Sequence, residues 1–289
     1  MTEADRRAAD VKARKRASQA DRPFPHSDDA DAASADGSQP RWAKDQWEDH
    51  GSVREAERAG TERAQVEDPE RVRRSGDPSR LDPEWVEEVE RESDARTSAR
   101  YMERLASATE ALDRERFGDA LRMVQPVLKN LPNVGSAHEV AGIALYRLGQ
   151  WRKAASELEQ ARTLRPAPEQ LPVLADCYRA LGKYRAVEEI WLEIRESSPA
   201  QAVMAEGRIV MAGALADQGN FAAAIQLLVR VADAPKKIRE FHLKQWYVLA
   251  DLYDRSGDVV RARNFFKRVA AIDPRYSDVG DRISHLGRR

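Results

Sequence analysis

The sequence predicts an all-α protein: an α-solenoid of about five helix pairs behind a charged, disordered N-terminal tail, closed by a short C-terminal helix. Three observations predict it. Four segments align on one glycine each, Gly149, Gly182, Gly219 and Gly257, and their spacings of 33, 37 and 38 residues lie near the period of a stacked helix-pair unit. Within each segment the apolar residues recur at the three-to-four-residue spacing of a buried helix face. The first eighty residues, by contrast, contain no leucine and no isoleucine, and such a stretch cannot bury enough apolar surface to offset the entropy of ordering it.

Taken in order, residues 1–80 are a disordered tail with turn breakers at Gly37, Pro40, Gly51, Gly60, Pro69, Gly76 and Pro78. Trp42 and Trp47 stand out in it, either as a short docking motif or as tryptophans without a specific role. Residues 81–100 form an N-terminal helix and linker. Order begins near Asp82, an N-cap followed by Pro83 at the first helical position and by acidic residues that suit the helix dipole, and the helix runs from Pro83 toward Ser98. Deleting residues 1–80 is expected to leave the unfolding temperature nearly unchanged.

Residues 101–274 hold five repeat copies, the first degenerate and lacking the glycine. In the others a small residue seven positions before the glycine (Gly142, Ala175, Ala212, Ala250) lets one helix cross closely over another. A second alanine five positions after it (Ala154, Ala224, Ala262) serves the partner helix. Leu145, Tyr178, Leu215, Tyr253 and Leu158, Trp191, Leu228, Phe266 fill the space between. The glycine closes the first helix in left-handed geometry, and Asn220 and Asp258 cap the second. Prolines at 132, 166, 199, 235 and 274 end the units, and longer connections are expected at Ser197–Met204 and Asp233–Glu240. Residues 275–289 include a capping helix over Tyr276–Leu286, because an end repeat otherwise exposes its apolar face.

This pattern resembles the tetratricopeptide repeat family over Tyr101–Pro274. The last copy matches the family signature most fully, with Trp246, Leu249, Ala250, Tyr253, Gly257, Ala262, Phe266 and Pro274. Val187 stands where a small residue is usual and Val259 where an aromatic is. The chain is similar to repeat proteins of high-GC, actinobacterial-type bacteria. The resemblance implies a right-handed superhelix whose first helices line a concave groove. Groove positions carried over from the family are Glu139, Ile143, Tyr146, Arg147, Asp176, Arg179, Tyr247, Asp251 and Asp254. The Lys and Asn positions with which some members clamp a chaperone C-terminus hold Glu139, Pro172, Ile209 and Tyr247, then Ile143, Asp176, Gly213 and Asp251, which argues against such a clamp. A peptide or helix with mixed charge and an apolar anchor suits the groove better, although the same charges also fit a merely solvated helix face.

Charge and composition narrow the function further. The net charge is -1, but the first hundred residues carry 19 basic against 25 acidic groups, so this N-terminal part is acidic and the remainder mildly basic. That asymmetry is too small for a strong nucleic-acid signal. A compact basic cluster at Lys236, Lys237 and Arg239 could meet an acidic partner, RNA phosphate or the acidic tail, and basic loop residues are also common on soluble proteins. The longest uncharged run, Gln218 to Val229, is 12 residues, too short to span a membrane, and no export signal is evident, so a cytoplasmic location is expected.

Chemistry finds little support. Cys177 is the one cysteine, which excludes an internal disulfide and any multi-cysteine metal site, and its apolar helical setting suits a core thiol. His138 and Glu139 lack the second histidine of a zinc protease helix. No catalytic group, cofactor or metal is expected. The sequence therefore favours a non-catalytic protein-binding adaptor. The alternative is an RNA- or ribosome-associated factor using Arg261, Arg263, Lys267, Arg268 and the basic stretch Lys12–Arg16.

Overall fold

The computed structural model describes residues 76–233 and 235–286, so the expectations for Trp42, Trp47 and Lys12–Arg16 lie outside the described residues. Among those residues there are twelve α-helices, two short 3-10 helices and no strand. Helix α1 (Pro83–Glu92) is followed by five antiparallel pairs: α2 (Ala95–Asp113) with α3 (Phe117–Asn130), α4 (Gly135–Arg147) with α5 (Trp151–Leu164), and α6 (Leu171–Ala180) with α7 (Tyr184–Ser197). The series continues with α8 (Gln201–Asp217) and α9 (Phe221–Val229), then α10 (Glu240–Arg255) and α11 (Val259–Ile272), and ends in α12 (Val279–Leu286). Each second helix packs on the first helix of the next pair, and neighbouring first helices also touch, so α2, α4, α6, α8 and α10 form one continuous row.

The expected turn chemistry is present. Gly149, Gly182, Gly219 and Gly257 all have positive φ, from 70° to 88°, the left-handed geometry in which a Cβ is penalised. The glycine-free first copy keeps this turn with Glu115 at φ 58°. Asn220 accepts a hydrogen bond from the Ala223 backbone N–H at 3.2 Å, and Asp258 accepts one from Arg261 at 3.0 Å. Between the layers, Gly142 permits a close crossing: a Cβ there would lie 2.6 Å from Leu158 Cγ. Leu105, Leu158, Trp246, Leu249 and Phe266 are fully buried in the interfaces that these turns position.

Five boundaries differ from the sequence expectation. Order is not delayed to Asp82, because the described residues before it already pack: Gly76 is buried, its N–H donates to Ser107 Oγ at 2.7 Å, and Leu81 is also buried. A cut after residue 80 would therefore remove contacts with α2. The N-terminal helix does not reach Ser98 but stops at Glu92, because Ser93 turns extended and Asp94 starts a new helix by accepting from the Arg96 and Thr97 N–H groups, each at 3.1 Å. The connection foreseen at 197–204 shrinks to the residues between Ser197 and Gln201, whereas the one before α10 lengthens, since α9 ends at Val229 and α10 starts at Glu240. That longer loop is fastened at Ala232, whose carbonyl accepts from Trp246 Nε1 at 3.1 Å and from Arg268 at 2.7 Å. The C-terminal helix starts at Val279 after a turn, not at Tyr276.

Candidate interaction surface

The row of first helices is stitched by polar contacts about one repeat apart in sequence, and most of the predicted groove residues are members of these contacts. Between the second and third pairs, Tyr146 donates its hydroxyl to Asp176 at 2.6 Å. One turn further along α6, Arg179 pairs with Asp217 of α8 at 2.6 Å and leans back to Asp176 at 3.6 Å. Gly213 makes room for this: a Cβ there would lie 2.5 Å from the guanidinium. Burial raises the pKa of Asp176, an effect that Arg179 and the Tyr146 hydrogen bond oppose. Burial and the Asp176 charge push the Tyr146 phenol well above its ordinary value. The Arg179 guanidinium is disfavoured by burial, but Asp217 and Asp176 more than offset this and raise its pKa.

At the C-terminal end the same device uses the cap. Arg282 of α12 reaches Asp251 at 2.6 Å, Asp278 at 3.2 Å and Asp254 at 3.6 Å, and Tyr247 donates its hydroxyl to Asp278. Burial first, and then this hydrogen bond, push the Tyr247 phenol up to about 12. Arg147 stacks on Phe117 of the preceding pair at 4.5 Å, and Arg255 repeats the arrangement on Phe221 at 5.1 Å. Both are cation–π contacts at partly exposed sites. Ile143 has no polar role and is partly buried.

At the N-terminal end α1 lies across the row. Glu88, only 8% exposed, accepts from the Ser136 backbone N–H at 2.8 Å. It thus satisfies the start of α4, whose N-cap Val134 has no side-chain acceptor. Arg165, between α5 and α6, gathers Glu88 at 3.3 Å, Glu84 at 3.9 Å and Glu139, and lies 5.8 Å over the Trp85 ring. Gln170 also donates to Glu139, at 2.8 Å. Burial raises the Glu139 pKa against the lowering effect of Arg165.

Eight of the nine predicted groove residues, all but Ile143, are thus joined to a neighbouring repeat, to the C-terminal cap or to the α5–α6 connection. Their partners Glu88, Arg165, Asp217 and Arg282 escaped the sequence reading, because a repeat alignment marks what recurs and these residues do not recur. The basic residues Lys236, Lys237 and Arg239 are all exposed on the loop before α10, apart from these contacts. Cys177 is buried, and burial together with the Asp176 charge pushes its thiol up to about 12, a setting in which a thiolate does not form at neutral pH. No group of three or more metal-ligating side chains occurs among the described residues. None of the described helices is long and apolar enough to cross a membrane.

Stacked antiparallel helix pairs, each turned by a left-handed residue and linked through a row of first helices, define a helical-repeat protein. The chain belongs to the tetratricopeptide repeat family, whose profile matches residues 105–169, 139–202 and 209–277, more than half of the chain. Among solved structures it is similar to TTC0263, a thermophilic tetratricopeptide repeat protein of Thermus thermophilus, at 16% identity, 64% of this chain, 98% of that chain and a TM-score of 0.52. It is also similar to nearly identical repeats of a Podosopora anserina kinesin light chain, at 21% identity, 61% of this chain, 95% of that chain and a TM-score of 0.50. These likenesses concern the fold. No curated protein sequence matches the chain. The tetratricopeptide fold is commonly a scaffold for protein–protein interaction and generally lacks catalysis.

Proposed function

We propose that this protein is a non-catalytic adaptor that binds a peptide or helix of a partner protein along its row of first helices. One observation carries the reading. Four successive first helices each present a partly exposed aliphatic residue, Ile143 on α4, Val173 on α6, Ile209 on α8 and Val248 on α10, in a row whose acidic groups are largely taken up by internal pairs. In this reading the four residues anchor a ligand through apolar contact, and Arg147 and the Glu206–Lys244 pair, 2.7 Å apart on the same row of helices, set its register. A reducing, cytoplasmic setting suits the single buried thiol.

The RNA-binding alternative draws less support. Of its four outer-surface residues, Arg268 is stacked on Trp246 at 3.8 Å and bonded to Ala232, and Arg263 donates to the Leu286 carbonyl. Affinity capture from the native cell with the full chain as bait tests both readings. Ile143→Arg with Val248→Arg should abolish capture of a protein partner while leaving the melting temperature within a few degrees. Capture that survives both substitutions, or that is lost steeply with rising salt and with nuclease, contradicts groove binding and favours the nucleic-acid reading.

A further inference from the structure

Helix α1 is part of the packed protein, yet it is held differently from the repeats. It spans ten residues, a length at which a helix is marginal in water without tertiary support. Only Val89 is fully buried, while Trp85 and Val86 are partly exposed. Beyond the apolar contribution of Val89, its grip on the start of α4, the turn before it and the α5–α6 connection is polar: Glu88 on the Ser136 N–H, Glu92 accepting from Asn133 at 3.1 Å, and Glu84 and Glu88 on Arg165. Asp94 caps α2 without help from α1, so α2 keeps its start if α1 leaves.

The receiving surface makes fixed demands of its own. The Ser136 N–H opens α4 without a side-chain cap, and a helix start left without an acceptor favours a carboxylate. Arg165 is a forked cation, 19% exposed, that already meets Glu139 and accepts further carboxylates from above. Beside them Tyr101, Leu105, Val134 and Val140 form an apolar floor that belongs to one buried cluster with Val89, and Trp85 and Val86 pack against this cluster.

Resting on the adaptor reading, we propose that this end of the row is a receptor for an acidic amphipathic helix of a partner protein, and that α1 is its built-in, exchangeable occupant. The occupant shows what fits. The incoming helix carries a pair of carboxylates four residues apart, as in Glu84 and Glu88, each followed by a large apolar residue, as in Trp85 and Val89. The carboxylates meet Arg165 and the Ser136 N–H, and the apolar residues take the floor. Because α1 is tethered at an effective concentration on the order of millimolar, a free helix of equal intrinsic affinity competes poorly until α1 is weakened.

The test titrates a fluorescent synthetic peptide of residues 77–94 into the full chain and follows anisotropy. Trp85→Ala with Val89→Ala in the chain weakens the occupant and leaves the receptor intact, so the peptide should bind at least tenfold tighter than to the unaltered chain. Adding Arg165→Gln to that variant, or Glu88→Gln to the peptide, should reverse the gain. Equal affinity for the unaltered and weakened chains, or indifference to Arg165, overturns the proposal. If the weakened variant loses helix content, native-state hydrogen exchange of the unaltered chain decides instead. Residues 83–92 should open more readily than α2, and opening only together with α2 overturns the proposal. Capture through Ile143 and Val248 does not depend on this exchange, so the two readings fail separately.

Discussion

Replacing Arg179 with methionine tests whether the row of first helices is held by its buried polar links. Arg179 has a side-chain exposure of 14%, and its partner Asp217 is at 0%. Asp176, also its partner, stands at 7%. Methionine keeps much of the stem packing over Gly213 but takes the cation from buried Asp217 and leaves Asp176 with the Tyr146 hydroxyl alone among the contacts described above. Breaking a buried ion pair from one side costs about 3–5 kcal/mol, because the remaining charge has lost its compensation. The loss should depend on pH. The Asp176 pKa is already raised by burial, and Arg179 is the largest influence lowering it, so the variant raises it further. A carboxyl whose folded pKa exceeds its unfolded value binds more protons when folded, and stability then falls as pH rises through that window. The deficit should be largest near neutrality and shrink on acidification through the raised pKa of Asp176. Urea unfolding followed by circular dichroism at several pH values measures it. A loss below about 1 kcal/mol at neutrality, where the breakage of a buried pair demands more, refutes the reasoning, as does a deficit that grows on acidification.

Three further expectations follow. Glu115→Gly should stabilise the first pair by about 0.5–1 kcal/mol in thermal unfolding, since it relieves a non-glycine residue at φ 58° and forfeits only an exposed 3.5 Å pair with Arg147. Gly142→Val should cost about 1–3 kcal/mol by overpacking against Leu158, visible as a lower denaturation midpoint. Burial opposes the charge of His138, but its contacts with Glu157 at 2.7 Å and with the Pro132 carbonyl at 2.9 Å outweigh this and raise its pKa. Its contribution is therefore fully present below the unfolded value near 6.5 and fades as pH rises through the folded pKa, so the stability gap to His138→Gln should narrow from pH 6 to pH 9.

The fold was legible because its determinants repeat. Gly149, Gly182, Gly219 and Gly257 mark turns that only a left-handed backbone makes, and the small residues seven positions earlier mark the crossings they serve. The helix break at Ser93 and Asp94 was less visible, since one capping aspartate competes with a continuous acidic pattern over residues 84–92. The residues offered as groove positions lie on α4, α6 and α10, but the partners of their charges could not be read from the sequence. Whether Asp176 faces solvent or Arg179 and Tyr146 depends on side chains roughly thirty residues apart, and Arg165 and Arg282 sit outside the aligned pattern. An arginine immediately before the unit-ending Pro166, and another in the capping helix, were the signals available.

The most direct measurement is hydrogen exchange of the full chain with a partner captured from its native cell. Binding along the first helices predicts added protection on α4, α6, α8 and α10, with α5, α7, α9 and α11 unchanged. Protection confined to the second helices, or to the loop around Lys236 and Lys237, would contradict the account.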